Sequence, residues 1–373
     1  MTTQPPPAFP LRRRDAAWYR DRLVLPAGRL RVVIDTDAAN EIDDQFALAW
    51  LLLSRERFDL QGVYAGPFSF EYRRQEMLRA RRARDNPSAA TQADLDLLHQ
   101  HADQIAEHER KGVSLESMAG PIFQPPAVGM ERSHAEILTV FDRMGIAADG
   151  LVHRGATGYL SSATDARSSA ATDHLIRTAR ATRPGDTLDV IALGCVTNIA
   201  HALLLAPDII DRVVVVWTSG FPSHAPQVNY AFNLEQDMVA STVLLDSGVP
   251  LVYLPGYHVG AQLRLSLPDM QAYVRGRGAI GDYLYHLFTH NPLWEFLGID
   301  SLYAHSWVIW DVINVAWLLN PAWVPSSMVT TPVLGADRRW YQTAGRHPMR
   351  EAHGVARDAI FRDFFQKLER AAS

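Results

Sequence analysis

Short runs rich in Val, Ile and Leu alternate along this chain with longer segments of helical periodicity, and that alternation constrains the fold more than any other feature. The apolar runs predict strands over residues 30–35, 59–66, 151–154, 188–193, 212–217 and 250–254. Between them, the spacing predicts helices over 43–54, 133–144, 172–182, 198–205 and 236–247. A strand followed by a helix reaches its next partner by a crossover, and a strand apolar on both faces must be covered on both. The pattern therefore predicts an α/β fold: an open, mostly parallel sheet flanked by helices, with a Rossmann-like core. A chain of 373 residues can bury such a core without disulfides, and its single cysteine, Cys195, can form none within the chain.

We read residues 1–29 as an N-terminal extension and 30–373 as a single domain with a helical insertion at about 73–118. The insertion is rich in Arg, Ala, Gln and His and stands where connections usually run only a few residues. It suits a lid, while its basic stretch MLRARRARD (77–85) reads as a solvated helix face. Residues 281–306, dense in aromatic and His side chains, read either as a packed layer or as a flap. A net charge of −5 gives no electrostatic case for a nucleic-acid or anionic-membrane partner. No apolar run approaches the ~20 residues that span a bilayer. Prolines occupy the place where a signal peptide needs an apolar stretch. The expectation is a cytoplasmic protein acting on a small molecule.

The sharpest chemical signal is Asp35-Thr36-Asp37-Ala38-Ala39-Asn40-Glu41-Ile42-Asp43-Asp44, between the first strand and its helix. Helix capping accounts for one or two of its five carboxylates. Five close like charges raise one another's pKa and oppose folding, a cost that a bound hard cation removes. An EF-hand starting at Asp35 would place Phe46 where the terminal Glu is required. A haloacid-dehalogenase motif would need Thr or Val at Ala39. The third candidate is DxDxxxDD.

That motif carries a family resemblance. DTDAANEIDDQFAL resembles the first motif of the inosine–uridine nucleoside hydrolase superfamily, with a spacer two residues longer than in its best-known members. Leu193-Gly194-Cys195-Val196-Thr197-Asn198-Ile199-Ala200 resembles the family's GPLTNLA segment, and Ala231-Phe232-Asn233 its EFN segment. Trp310-Asp311 resembles a late His-Asp or Trp-Asp pair, and the likeness covers about residues 30–345 outside the insertion.

The resemblance implies calcium-dependent hydrolysis of the N-glycosidic bond of a ribonucleoside, by a homodimer or homotetramer. It implies a Ca²⁺ held by Asp37, Asp44, the backbone carbonyl of Thr197 and Asp311, with Asp37 also accepting the proton of the attacking water. Asp43 and Asn233 would bind ribose, Asp35 would support the loop, and Trp310 would stack on the base, as in the purine-preferring branch. By local pattern Asn198 is an N-cap, and capping is also the default for Asp311. The purine branch uses an earlier Trp, for which Phe68, Phe70, Tyr72 or Phe123 are substitutes here. Tyr283, Tyr285, His286, His290 and His305 are candidates for the acid that protonates the leaving base.

Two positions depart from the family pattern. Gly66-Pro67 replaces the usual Gly-Asn, and Ala231 replaces the Glu that holds the 5′ side of ribose. Ala231 points to a substrate altered at the 5′ position. It also keeps open a non-catalytic homologue that binds calcium and a ribosyl group. A Mg²⁺-dependent phosphatase with Asp35 as nucleophile is the remaining alternative.

Overall fold

The computed structural model describes residues 14–117, 120–183, 185–294, 296 and 306–373. The six expected strands form as β1 (Leu30–Thr36), β2 (Phe58–Ala65), β3 (Val152–Arg154), β4 (Leu188–Ala192), β5 (Val213–Ser219) and β6 (Leu251–Pro255). Later in the chain come β7 (Arg264–Ser266), β8 (Ser306–Val308), β9 (Ser326–Thr330), β10 (Val333–Leu334), β11 (Trp340–Tyr341) and β12 (Pro348–Ala352). Eight of these make the central sheet, in the order β3-β2-β1-β4-β5-β6-β12-β9. Neighbours pair parallel except at the β9 edge, which runs antiparallel to β12.

The helices are α1 (Ala16–Arg22), α2 (Asp43–Leu52), α3 (Glu71–Asp85), α4 (Gln92–Arg110), α5 (Pro126–Arg143), α6 (Ala170–Arg180) and α7 (Thr197–Leu205). They continue as α8 (Phe232–Glu235), α9 (Met238–Asp246), α10 (Leu267–Tyr273), α11 (Gly278–Thr289), α12 (Val312–Leu319) and α13 (Arg357–Ala372). The two-residue period of β1 divides the core. Val32 and Ile34 join Phe46, Trp50, Ile313 and Phe364 on one face. Val33 joins Val190, Ile199 and Leu244 on the other. Helix α2 is packed by α5, α11, α12 and α13, so it is buried all round and shows no polar stripe.

From β1 the chain adds β2 and β3 on one side, whereas β4, β5 and β6 extend on the other. The strand order therefore reverses between β1 and β4, and the loops leaving their C-terminal ends diverge. Such a switch point opens the crevice where α/β sheets bind ligands.

The described part of the N-terminal extension is docked on this body, with the Tyr19 hydroxyl donating to the Gly248 carbonyl at 2.7 Å. The segment read as an insertion contains α4 and most of α3, which pack on each other around a separate small core of Phe70, Met77, Ala80, Leu97 and Ile105. In this helix pair Arg79 is paired with Asp94 at 2.6 Å and Arg84 with Glu109 at 2.7 Å. Among the described residues no helix is long and apolar enough to cross a membrane.

Candidate active site

The loop after β1 carries the acids into the crevice. Ala39 adopts φ +75°, a left-handed conformation that Ala tolerates at some cost and a β-branched Thr or Val resists. The dehalogenase motif is therefore disfavoured by backbone geometry as well as by residue type. Helix α2 begins at Asp43 with Ile42 at its N-cap and no side-chain capping bond. Asp311 is the N-cap of α12, yet it makes no capping bond either. Both helices thus point their positive ends at carboxylates that remain available for a ligand.

Carboxylate oxygens of Asp43, Asp44 and Asp311 lie within 4.8 Å of one another, all buried, so Asp43, expected at ribose, joins this group and the expected ligand Asp37 does not. Asp44 accepts from the Thr36 hydroxyl. Asp37 lies against Gly194 after β4, where a Cβ would overlap its carboxylate. Its Oδ2 accepts from Gln236 Nε2 at 3.1 Å. Asp35 accepts from Asn198 Nδ2 at 3.3 Å through Oδ1, while its Oδ2 is buried with no partner among the described residues.

Burial is the main force on these acids, and their neighbours reinforce it. It pushes Asp35 up to about 8, with the Asp44 charge adding to the rise. Glu41 likewise rises to about 8 and Asp44 to about 6. Asp37, Asp43 and Asp311 are held well above the usual carboxylate range, by burial first and then by a neighbouring acid, Asp44 for Asp37, Glu41 for Asp43 and Asp43 for Asp311. Converging, oxygen-only, mutually repelling ligands fit a hard divalent cation.

Asp37, Asp43, Asp44, Asn233, Trp310 and Asp311 all line one cavity of about 430 Å³. Asn233 donates from Nδ2 to the carbonyls of Leu193 and, at 3.1 Å, Thr218, which leaves its Oδ1 free to face a ligand. The Trp310 ring is supported edge-on by Tyr257, at 5.9 Å and 87°. Ala231 also lines the cavity.

Two expectations need correction. Thr197 is not among the lining residues, and its hydroxyl donates to Asp237 Oδ2 at 2.7 Å. As the first residue of α7 its carbonyl is committed to the helix ladder, so the backbone oxygen at this end of β4 that can face the cavity belongs to Leu193. Asn198 does not cap α7, whose N-cap position is held by Val196. Instead it ties the ends of β1 and β2 to the loop after β3, donating to Asp35 and Ala65 and accepting from the Ala156 N–H at 2.7 Å.

Several lining residues escaped sequence reasoning. Arg73 comes from the insertion, and Trp307 donates from Nε1 to Glu41 Oε1 at 3.0 Å. A Trp three residues before Trp310 was the available signal for the latter. Of the aromatic substitutes only Phe70 lines the cavity, stacked on Phe232 at 4.1 Å. Tyr283, Tyr285, His286 and His290 do not line it, and His305 lies outside the described residues.

The family model described as inosine-uridine preferring nucleoside hydrolase matches residues 32–359. Among solved structures, a plant nucleoside hydrolase has TM-score 0.59 and 15% identity, covering 91% of this chain and 99% of that one. The purine-preferring ribonucleoside hydrolase of Gardnerella vaginalis has TM-score 0.59 and 17% identity, covering 92% and 99%. These likenesses concern the fold. An uncharacterized protein of Schizosaccharomyces pombe is 38% identical over 88 residues, which span 23% of this chain and only 28% of that protein.

Proposed function

Because the chain belongs to the inosine–uridine preferring nucleoside hydrolase family and hydrolyses the N-glycosidic bond of ribonucleosides, we propose that it does so with one Ca²⁺ and with Asp37 as general base. The observation that carries this reading is the convergence of Asp43, Asp44 and Asp311 on a cavity that also holds Asp37, Asn233 and Trp310. Asp37, Asp44, Asp311 and the Leu193 carbonyl would hold the ion. When bound, calcium brings the attacking water and the ribose hydroxyls together and makes that water more acidic.

The protein's own groups do the rest. Asp37 takes the water proton, for which its carboxylate in the cavity wall suits it. Asp43 and Asn233 Oδ1 hold ribose hydroxyls and fix C1′ in line with the water. Trp310 stacks on the base, which stabilises it as it departs with the bonding electrons. Burial excludes bulk water from the oxocarbenium-like transition state. Ala231 leaves the 5′ end without a carboxylate, and the preferred substrate is altered there. We further place the enzyme in the cytoplasm as a homodimer or homotetramer, a reading supported by its single buried cysteine and by the family likeness.

The test is direct. Protein stripped with chelator and reloaded with Ca²⁺ should release free base and a ribosyl sugar from purine ribonucleosides or their 5′-modified forms, in equal amounts. Release of phosphate from an ester without release of base would instead favour the phosphatase.

A further inference from the structure

Arg73 is one of two arginines, with Arg264, in the wall of a cavity rich in acids. It projects from α3, and three contacts fix its guanidinium beside residue 231. Nη2 donates to the Tyr230 carbonyl at 2.8 Å, and Nε donates to the Tyr72 hydroxyl at 3.0 Å. Cζ lies 5.3 Å from the ring centre of Phe232. Tyr230 and Phe232 flank Ala231, so the cation stands next to the position where the family's motif carries a carboxylate. The Arg73 side chain is 19% exposed, and no acceptor for Nη1 is found among the described residues. Its acidic neighbour Glu235, 3.6 Å from Nη2, is shared with Arg338.

We propose that the 5′ end of this cavity is a phosphate subsite built on Arg73, and that the substrates are nucleoside 5′-phosphates. This rests on the hydrolase reading above and specifies it. Against the family pattern, residue 231 carries no carboxylate and a cation stands beside it, which reverses the charge that the 5′ end accepts. Arg presents planar, forked N–H groups that match phosphate oxygens, and Ala231 leaves the room a phosphate needs. In the reaction, water gives its hydroxyl to C1′ and the C1′–N bond breaks with its electron pair leaving on the base. The remaining water proton goes to Asp37, and the departing nitrogen takes one proton from solvent while Asp37 returns its own to solvent, so that no proton is gained or lost overall. The products are the free base and ribose 5-phosphate, with the phosphate ester intact.

The experiment compares kcat/KM for inosine 5′-phosphate and inosine, and for the adenosine pair, on the calcium-loaded full chain. A parallel calorimetric titration compares ribose 5-phosphate with ribose. The wild type should prefer the phosphates by at least about tenfold. Arg73→Gln should lower that preference ratio by ~10²-fold, because a charge-assisted forked contact is lost. Arg73→Lys, which keeps the charge and the ion pair with Glu235, should lower it less, and Ala231→Glu should invert it. If Arg73→Gln does not fold, the Lys and Glu variants still decide. Inosine winning in the wild type, or a ratio that ignores all three substitutions, overturns the subsite. If ribose 5-phosphate outbinds ribose but no base is released from anything, the hydrolase reading fails and the subsite stands. If nucleosides are cleaved with no gain from phosphate in either assay, the subsite fails and the hydrolase stands.

Discussion

Gln236 donates its side-chain amide to Asp37 Oδ2 at 3.1 Å, and its other bonds fix which way that amide faces. Gln236 Oε1 accepts from the Tyr159 hydroxyl at 2.8 Å and from the Ser69 N–H at 3.3 Å. With the oxygen side occupied by donors, the nitrogen must face Asp37. Gln236→Glu replaces this donor with a second acid, which should raise the proton affinity of Asp37 further. Its kcat/KM should fall by about 10–10²-fold at neutral pH, with the acidic limb of the pH–rate profile moved to higher pH. A profile superimposable on the wild type would show that Gln236 does not tune Asp37.

Gly194 is where the end of β4 approaches Asp37 too closely for any side chain. Gly194→Ala should displace that carboxylate, and misplacement of about 1 Å can cost ~10²-fold in kcat. The calcium dissociation constant should rise in the same variant. Normal kcat with normal calcium affinity would contradict the close approach.

Asp37→Asn keeps the shape but removes the base, and hydrolysis should fall by ~10²–10⁴-fold with circular dichroism retained. Asp35→Asn should keep turnover within about tenfold, since Asp35 is not among the cavity-lining residues. Complete loss in Asp35→Asn, with activity kept in Asp37→Asn, would reverse their roles.

Calcium and protons compete for the same acids. Carboxyls with raised pKa bind more protons folded than unfolded, so the metal-free protein loses stability as pH rises from ~4 toward the folded values of about 6 for Asp44 and about 8 for Glu41. Calcium binding should therefore release protons, and its Tm increment should grow between pH 5 and 8. At a thousandfold excess over its dissociation constant it adds ~4 kcal/mol. Scanning calorimetry with and without chelator measures this, and an increment equal at both pH values would contradict it.

Asp189 lies in β4 away from the cavity, and burial pushes its carboxyl up to about 7, with Arg57 opposing. It stabilises the fold when protonated, and that contribution is lost as pH rises from ~4 through about 7. Asp189→Asn should then be more stable than wild type by about 1–3 kcal/mol at pH 8 and close to it at pH 4, by urea unfolding. Equal stability at both pH values would show that the carboxyl titrates normally.

The chain's own pattern was enough to read β1 to β6 and the helices between them, because β4, β5 and β6 are buried along their whole length and β1 nearly so, which demands largely apolar runs. It was not enough for β9 and β12. The half-exposed edge SSMVT has no unbroken apolar run, and PMREA draws its pairing from β6 and β9. The acid loop was legible because like charges at such density require compensation, and its link to Asp311 followed from motif order. Which backbone oxygen faces the cavity was not legible, because helix α7 claims the Thr197 carbonyl and leaves that of Leu193 at the strand end. Nor was the meeting of Arg73 with the Tyr230–Phe232 segment, 157 positions from Arg73 to Tyr230, or of Gln236 with Asp37 across 199. Residue type and spacing determined what chemistry this chain carries. Only the packing of the insertion and of the segment after β5 against the β1–β4 switch point decided which side chains surround it, since contacts between distant segments leave no local period to read.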